Sequence, residues 1–230
     1  MNLLALETST RRLSVALWCD GRLRVCCAEH THGGSELILP WVGQLLDEEA
    51  IGLHQLDGIA FGAGPGGFTG VRLACGIAQG LAFGADLPTI GIGSLEALAL
   101  EHGPGRVYAC LDARMNEVYC AAFEVRDGRC HQVLAPVVTP PLQAPLAPGE
   151  RWIGVGDGFE AYRAALTERL GTTLASVAPG LFPTAAAVAR LAAPRLAAGE
   201  GIDAAAARPR YVRDKVALTT AERLARGGLR

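Results

Sequence analysis

The pattern of this chain starts twice, and nothing else constrains its fold as much. An apolar run, Leu3-Leu4-Ala5-Leu6, ends in Glu7; two further runs, 13–19 and 23–27, flank Asp20-Gly21-Arg22. Later Val107-Tyr108-Ala109-Cys110-Leu111 ends in Asp112, and the run 118–123 leads to Asp127-Gly128-Arg129. Asp-Gly between such runs predicts a tight hairpin. In the first unit a helix from Ser35 to about residue 49 follows, then a strand (56–61), a glycine-rich turn (62–70), a helix (71–83), a strand (88–93) and a helix opened by Ser94. In the second, Ile153-Gly154-Val155-Gly156-Asp157-Gly158-Phe159 repeats the strand–glycine–helix scheme, with helices at about 159–170 and 184–198 and a Pro-rich loop at 136–148. Two such units predict a duplicated α/β fold, two βββαβα-type halves with mixed sheets, divided as 1–102 and 103–230.

Half of the 230 residues are apolar, so the chain can bury a substantial core and is not disordered. No apolar run has the length of a membrane span, and the start meets Glu7 without a basic segment, so neither membrane nor export is expected and the expected address is the cytoplasm. The seven cysteines form no CxxC pair and no Cys/His cluster at zinc spacing. They read as small buried hydrophobes in a reducing compartment. A net charge of −2 argues against a strong free-standing nucleic-acid binder. Basic residues gather at the end (Arg208, Arg210, Arg213, Lys215, Arg223, Arg226 and Arg230), a tail expected to be a solvated terminus, with contact to RNA or an acidic partner as the alternative.

Gly62, Gly64 and Gly67 satisfy GxGxxG, but three strands and a helix precede them, so they do not open a dinucleotide fold. Gly70-Val71-Arg72 replaces the Gly-Lys-Ser/Thr of a phosphate loop. The reading left is a tight turn that packs a helix closely on its strand, with weak anion binding at its N–H groups. Weak nucleotide or anion contact is therefore expected at Glu7, Thr8, Ser9, Gly66 and Gly67. Glu7 and Asp112, each ending a first strand, are the best acids for magnesium or phosphate work, although structural hydrogen bonding is the safer expectation for Glu7. Gly91-Ile92-Gly93-Ser94-Leu95 is not a GxSxG elbow, and the histidines at 30, 32, 54, 102 and 131 are scattered. No catalytic residue and no metal ligand is expected.

Partner binding reads more strongly. In the helix from Ser35, Leu37, Trp41, Gln44 and Glu48 share one face, while Ile38, Val42, Leu45 and Leu46 share another. Burial on both sides implies the chain's own core on one and a subunit interface on the other, with Trp41 as anchor. In the next helix Gly76, Gly80 and Gly84 make a stripe without side chains that lets another helix approach closely, which is usually internal packing, beside the semi-polar stripe Arg72, Cys75 and Gln79; the partner interface is expected to take in Arg72, Cys75, Gly76, Gln79 and Gly80 with the outer face of the preceding helix.

Several of these segments resemble one family, the bacterial tRNA threonylcarbamoyladenosine biosynthesis proteins known as TsaB or YeaZ. The resemblance is carried by Leu4-Ala5-Leu6-Glu7-Thr8-Ser9-Thr10, Ser35-Glu36-Leu37 with Leu39-Pro40, and Gly64-Pro65-Gly66-Gly67-Phe68-Thr69-Gly70-Val71-Arg72, where the family usually has Ser at Gly67. Leu111-Asp112-Ala113-Arg114, Glu117-Val118-Tyr119 and Pro209-Arg210-Tyr211-Val212-Arg213 extend it over nearly the whole chain. It implies an actin-like, hexokinase-type (ASKHA) duplicated fold. It implies a non-catalytic scaffold that pairs through the first two helices with a TsaD-like catalytic subunit and works with a TsaE-like ATPase. Together they transfer a threonylcarbamoyl group to N6 of the adenosine beside the anticodon, in tRNAs reading codons that begin with A. ATP and a metal would be handled by the partner subunits, tRNA met only through the complex, and the isolated chain would be a homodimer. The catalytic paralogue has a His-Met-Glu-Gly-His metal stretch; the segment here is Ser94-Leu95-Glu96-Ala97-Leu98, which lacks both imidazoles. Two competing functions remain: an autonomous ASKHA-type ATPase or phosphotransferase working through Glu7 and Asp112, and a peptidase.

Overall fold

The structure is a computed structural model, and it describes residues 1–29 and 34–213. His30, His32 and the basic residues from Lys215 onward lie outside the described residues.

The first sheet holds β1 (Asn2–Glu7), β2 (Arg12–Cys19), β3 (Arg22–Glu29), β4 (Gly58–Gly62) and β5 (Thr89–Ile92) in the order β3-β2-β1-β4-β5. β1 pairs antiparallel with β2, Leu3 opposite Trp18 and Glu7 opposite Ser14, and parallel with β4, Leu3 opposite Gly58. The second sheet holds β6 (Gly105–Arg114), β7 (Glu117–Arg126), β8 (Arg129–Thr139), β9 (Trp152–Val155) and β10 (Leu174–Ala178) in the order β10-β9-β6-β7-β8. Read from the antiparallel edge, the two orders are the same, which is the duplicated actin-like arrangement. Both Asp-Gly hairpins have positive φ at their central residues, 47° and 83° at Asp20-Gly21 and 51° and 70° at Asp127-Gly128, as a type I′ turn demands.

Alternation along β1 builds two cores. Leu4 and Leu6 face α1 (Ser35–Glu48) and α2 (Phe68–Ala85), with Ile38, Val42, Leu45, Ala74 and Ala78. Leu3 and Ala5 face α6 (Ala185–Ala197). α6 is nearly all alanine on its buried side, which allows a close approach to the sheet. With α3 (Ser94–His102) it fills the space between the two sheets, α3 packing on the second sheet through Leu95, Leu98 and Ala99. Thr184 ties this layer: its Oγ1 accepts from the Ala187 N–H at 3.1 Å and donates to Glu101 at 2.5 Å. Outside the second sheet the short α4 (Gly158–Ala161) and α5 (Arg163–Leu170) pack with Ala144 and Ala147 over Tyr108 and Trp152.

Four details differ from expectation. The helix at 159–170 is broken at Tyr162, whose φ of −132° leaves the helical region. β8 continues through Pro136 where a loop was expected; β8 is the edge of its sheet, so the missing N–H costs no ladder bond. β10 is an additional strand. Residues 185–210, in the second half of the chain, lie on the first sheet.

Candidate functional site

The two first strands end at one cleft of about 950 Å³ between the halves. On the first side Thr8, Ser9, Gly66 and Gly67 line it, while Glu7 lies beneath its floor, fully buried. The glycines explain the geometry. A methyl group at Gly62 would collide with the Glu7 carboxylate, one at Gly66 would sit 2.6 Å from Ser9 Cβ, and one at Gly70 would collide with the Thr8 carbonyl. The loop after β1 therefore sinks against the start of α2. The Gly67 N–H donates to the Ser9 carbonyl at 2.7 Å, and Thr8 Oγ1 donates to the Gly70 carbonyl at 2.6 Å. The turn packs α2 closely on the loop after β1, as the tight-turn reading expected, and Ser9 Oγ is buried there without a hydrogen-bond partner.

Glu7 accepts from the Ser9 N–H at 2.7 Å and from Ser94 Oγ at 3.0 Å. Burial pushes its carboxyl up from the ordinary range, and those hydrogen bonds offset the rise only in part. Ser94 thus does not cap α3 with its side chain, since Gly93 stands at the N-cap. Leu98 is packed in the second core. Neither position offers a metal a donor that is free, and among the described residues no three His, Cys, Asp or Glu side chains gather at metal-ligand spacing.

On the second side Asp112 faces the cleft. It accepts from the Arg114 N–H at 2.8 Å and pairs with the Arg114 guanidinium at 3.0 Å. Asp157, two residues beyond β9, accepts from the Asp112 N–H at 3.0 Å, and burial raises its carboxyl. Arg11 pairs with Glu160 at 3.1 Å across the gap. Asp157, Arg11 and Glu160 were not singled out in the sequence; the signal for Asp157 was its place at a strand end matching Glu7 and Asp112.

The other surface lies on the outer helices. Gln44, Glu48, Arg72, Gly76 and Gly80 are exposed, and Leu37, Trp41 and Gln79 are half-buried. Trp41 also packs on the first core. Two corrections apply. Cys75 is only 5% exposed and belongs to the core, because it falls between Ala74 and Ala78 on the inward side of α2. The glycine stripe is not internal packing: a methyl group at Gly43, Gly76, Gly80 or Gly84 would meet no atom within 4 Å. Leu39 (54%) and Phe83 (76%) are exposed beside it. The start of the basic tail is no solvated terminus either, since Arg210 and Arg213 are both hydrogen-bonded to carbonyls of the body.

Known proteins are related to the chain along most of its length. The profile of the family described as TsaD, tRNA N6-adenosine threonylcarbamoyltransferase, matches residues 27–221. The tRNA threonylcarbamoyladenosine biosynthesis protein TsaB of Escherichia coli (strain K12) is 38% identical over 237 residues, covering 94% of this chain and 96% of its own. The TsaB of Haemophilus influenzae is 50% identical over 125 residues, 52% of each chain. The solved structure of YeaZ from Pseudomonas aeruginosa superposes with a TM-score of 0.84 at 38% identity, covering 91% of this chain and 99% of that one. With its glycine-seated loop, its open outer helices and this likeness along its length, the chain belongs to the TsaB (YeaZ) family of tRNA threonylcarbamoyladenosine biosynthesis proteins.

Proposed function

We propose that the chain acts in tRNA threonylcarbamoyladenosine formation as a non-catalytic scaffold, docking its α1–α2 face on a TsaD-like catalytic subunit and working with a TsaE-like ATPase. The family name supports the pathway. The uncovered face supports the docking: α2 presents Gly76, Gly80 and Gly84 beside the exposed Phe83, and α1 presents Gly43 beside the exposed Leu39, with open space over every one of these glycines, which lets another helix approach closely. In the absence of that partner a second copy would cover the same face, which gives the homodimer. ATP and metal belong to the partner subunits in this reading, and tRNA is met through the complex, in the cytoplasm. No helix among the described residues is long and apolar enough to cross a membrane.

Ser94 and Leu98 support the non-catalytic role, since both are engaged in holding the fold where a metal-binding paralogue would need imidazoles. Against a peptidase, no serine or cysteine among the described residues is hydrogen-bonded to a histidine. The ATPase alternative keeps one favourable observation, the cleft with Ser9, Asp112 and Asp157 on its walls.

Co-elution with the TsaD-like protein, and tRNA modification with and without this chain, test the proposal. Gly80→Arg fills the glycine stripe without touching the core and is expected to weaken pairing by more than about tenfold. Trp41→Glu also breaks pairing, but Trp41 supports the core as well, so Gly80→Arg is the cleaner probe. Unchanged pairing of Gly80→Arg overturns the docking face. ATP turnover by the isolated chain, with no complex formed, favours the phosphotransferase.

A further inference from the structure

We propose that residues 209–213 are a clasp that locks the two halves together across the mouth of the cleft, and that its release opens the cleft. The Arg210 N–H donates to the Ala63 carbonyl at 2.7 Å, and the Arg210 guanidinium donates to the Gly91 carbonyl at 2.8 Å. Both acceptors stand at the end of the first sheet. Three residues on, Arg213 Nη2 donates to the Ala113 carbonyl at 3.1 Å and to the Glu117 carboxylate at 2.6 Å, on the β6–β7 hairpin of the second sheet. Between these anchors the Tyr211 hydroxyl accepts from Arg72 Nε at 2.8 Å, and the Arg72 guanidinium lies 3.7 Å from the centre of the Phe68 ring. Three residues within five, Arg210, Tyr211 and Arg213, thus grip the end of β4, β5, α2 and the β6–β7 hairpin.

The placement is that of a clasp and not of a terminus at rest. Arg210, Tyr211 and Arg213 line the cleft together with Thr8, Ser9 and Asp112. The Arg213 side chain keeps only 14% of its exposure, and its buried charge is met by a carboxylate and a carbonyl together. Arg11–Glu160, which also spans the cleft, is a more exposed pair at 41% and 37% and holds less. On the other side the halves meet through the continuous α3–α6 layer, which remains in place when the clasp lets go, so release is expected to widen the mouth while the sheets stay intact.

Tyr211 also couples the clasp to the outer helices, because Arg72 stands on α2. A protein that takes Arg72 competes with Tyr211 and loosens the clasp. This coupling rests on the docking face proposed above; the clasp itself does not.

Hydrogen exchange on the full chain tests the clasp, with tryptic cleavage after Arg210 as a second readout. Arg213→Ala and Tyr211→Ala are each expected to raise exchange at 63–67 and at 112–117 together by about tenfold, the factor expected from losing one charge-assisted hydrogen bond, with β1 and residues 105–110 of β6 unchanged. Arg208→Ala, at an exposed position with none of these contacts, is the control, and Arg213→Lys is expected to restore part of the protection. Should Arg213→Ala unfold, Tyr211→Ala and Arg213→Lys carry the test. Faster exchange confined to 209–213, with the cleft walls unchanged, overturns the clasp. The coupling has a separate arm: the TsaD-like protein added to the wild-type chain should raise exchange at 112–117. A complex that forms without that rise overturns the coupling alone, whereas failure to form a complex counts against the docking face and leaves the clasp standing.

Discussion

The two halves of the molecule share one sheet order and put an acid at the same place, yet the acids have opposite fates. Glu7 is sealed under the loop that follows it, because Gly62, Gly66 and Gly70 let that loop sink onto α2. Asp112 stays at the cleft wall, because in the second half the close approach falls elsewhere: Gly156 and Gly158 let the end of β9 press against the backbone of Cys110. The helices diverge in the same way. The first half carries α1 and α2, of 14 and 18 residues, with an open outer face; the second carries α4 and α5, of 4 and 8 residues, spent on covering its core. Topology alone therefore does not make an acid available to a ligand or a helix available to a partner. The residues packed against each decide that.

The sharpest way to strain this comparison is to remove a large aromatic from each half. Trp152 is fully enclosed, so Trp152→Ala should cost about 4 kcal/mol in urea unfolding. Trp41 is half-exposed on α1, so Trp41→Ala should cost less than about 2 kcal/mol while weakening pairing far more; equal stability losses would contradict a face kept open for a partner. Within α2 the contrast repeats between glycines. Gly70→Ala drives a methyl into the Thr8 carbonyl and should cost about 3 kcal/mol, whereas Gly76→Ala, facing open space, should stabilise the free chain by about 1 kcal/mol. A thermal melt of each distinguishes a seat for a loop from a surface kept smooth.

A smaller effect is the pH dependence that Glu7 gives to stability. Because burial raises the Glu7 carboxyl in the folded state, the unfolded chain ionises first. The stability Glu7 contributes is complete below the ordinary carboxylate range and is lost as pH rises through its folded value. Glu7→Gln, which can accept from the Ser9 N–H on its amide oxygen and donate from its NH2 to Ser94 Oγ, should flatten that loss; a melting profile with unchanged pH dependence would show that Glu7 is solvated. Smallest is the exposed pair across the cleft: Arg11→Ala should change stability by less than about 1 kcal/mol.

Much of this was legible in the residues. The repeated strand–acid start and the two Asp-Gly turns are local signals, and they led to the duplicated fold and to both hairpins. The two faces of α1 were readable because helical spacing separates Ile38, Val42 and Leu45 from Gln44 and Glu48. Cys75 was misplaced because one residue of rotation separates the inward row from the outward one on a helix rich in small side chains. The exposure of the glycine stripe was not legible, because a stripe without side chains looks the same whether internal packing or a partner covers it.

By itself the sequence determined the elements, their doubling and the turn chemistry, since each depends on neighbours a few residues apart. Only the tertiary structure decided that Glu7 is buried, that the glycine turn seats the chain's own loop, that Asp157, Arg11 and Glu160 join Asp112 at one cleft, and that residues 209–213 fasten both halves. Those outcomes join positions as distant as Glu7 and Ser94, or Ala63 and Arg210. Such pairs are set by how the sheets and the α3–α6 layer stack, a property of the packed core that no local pattern carries.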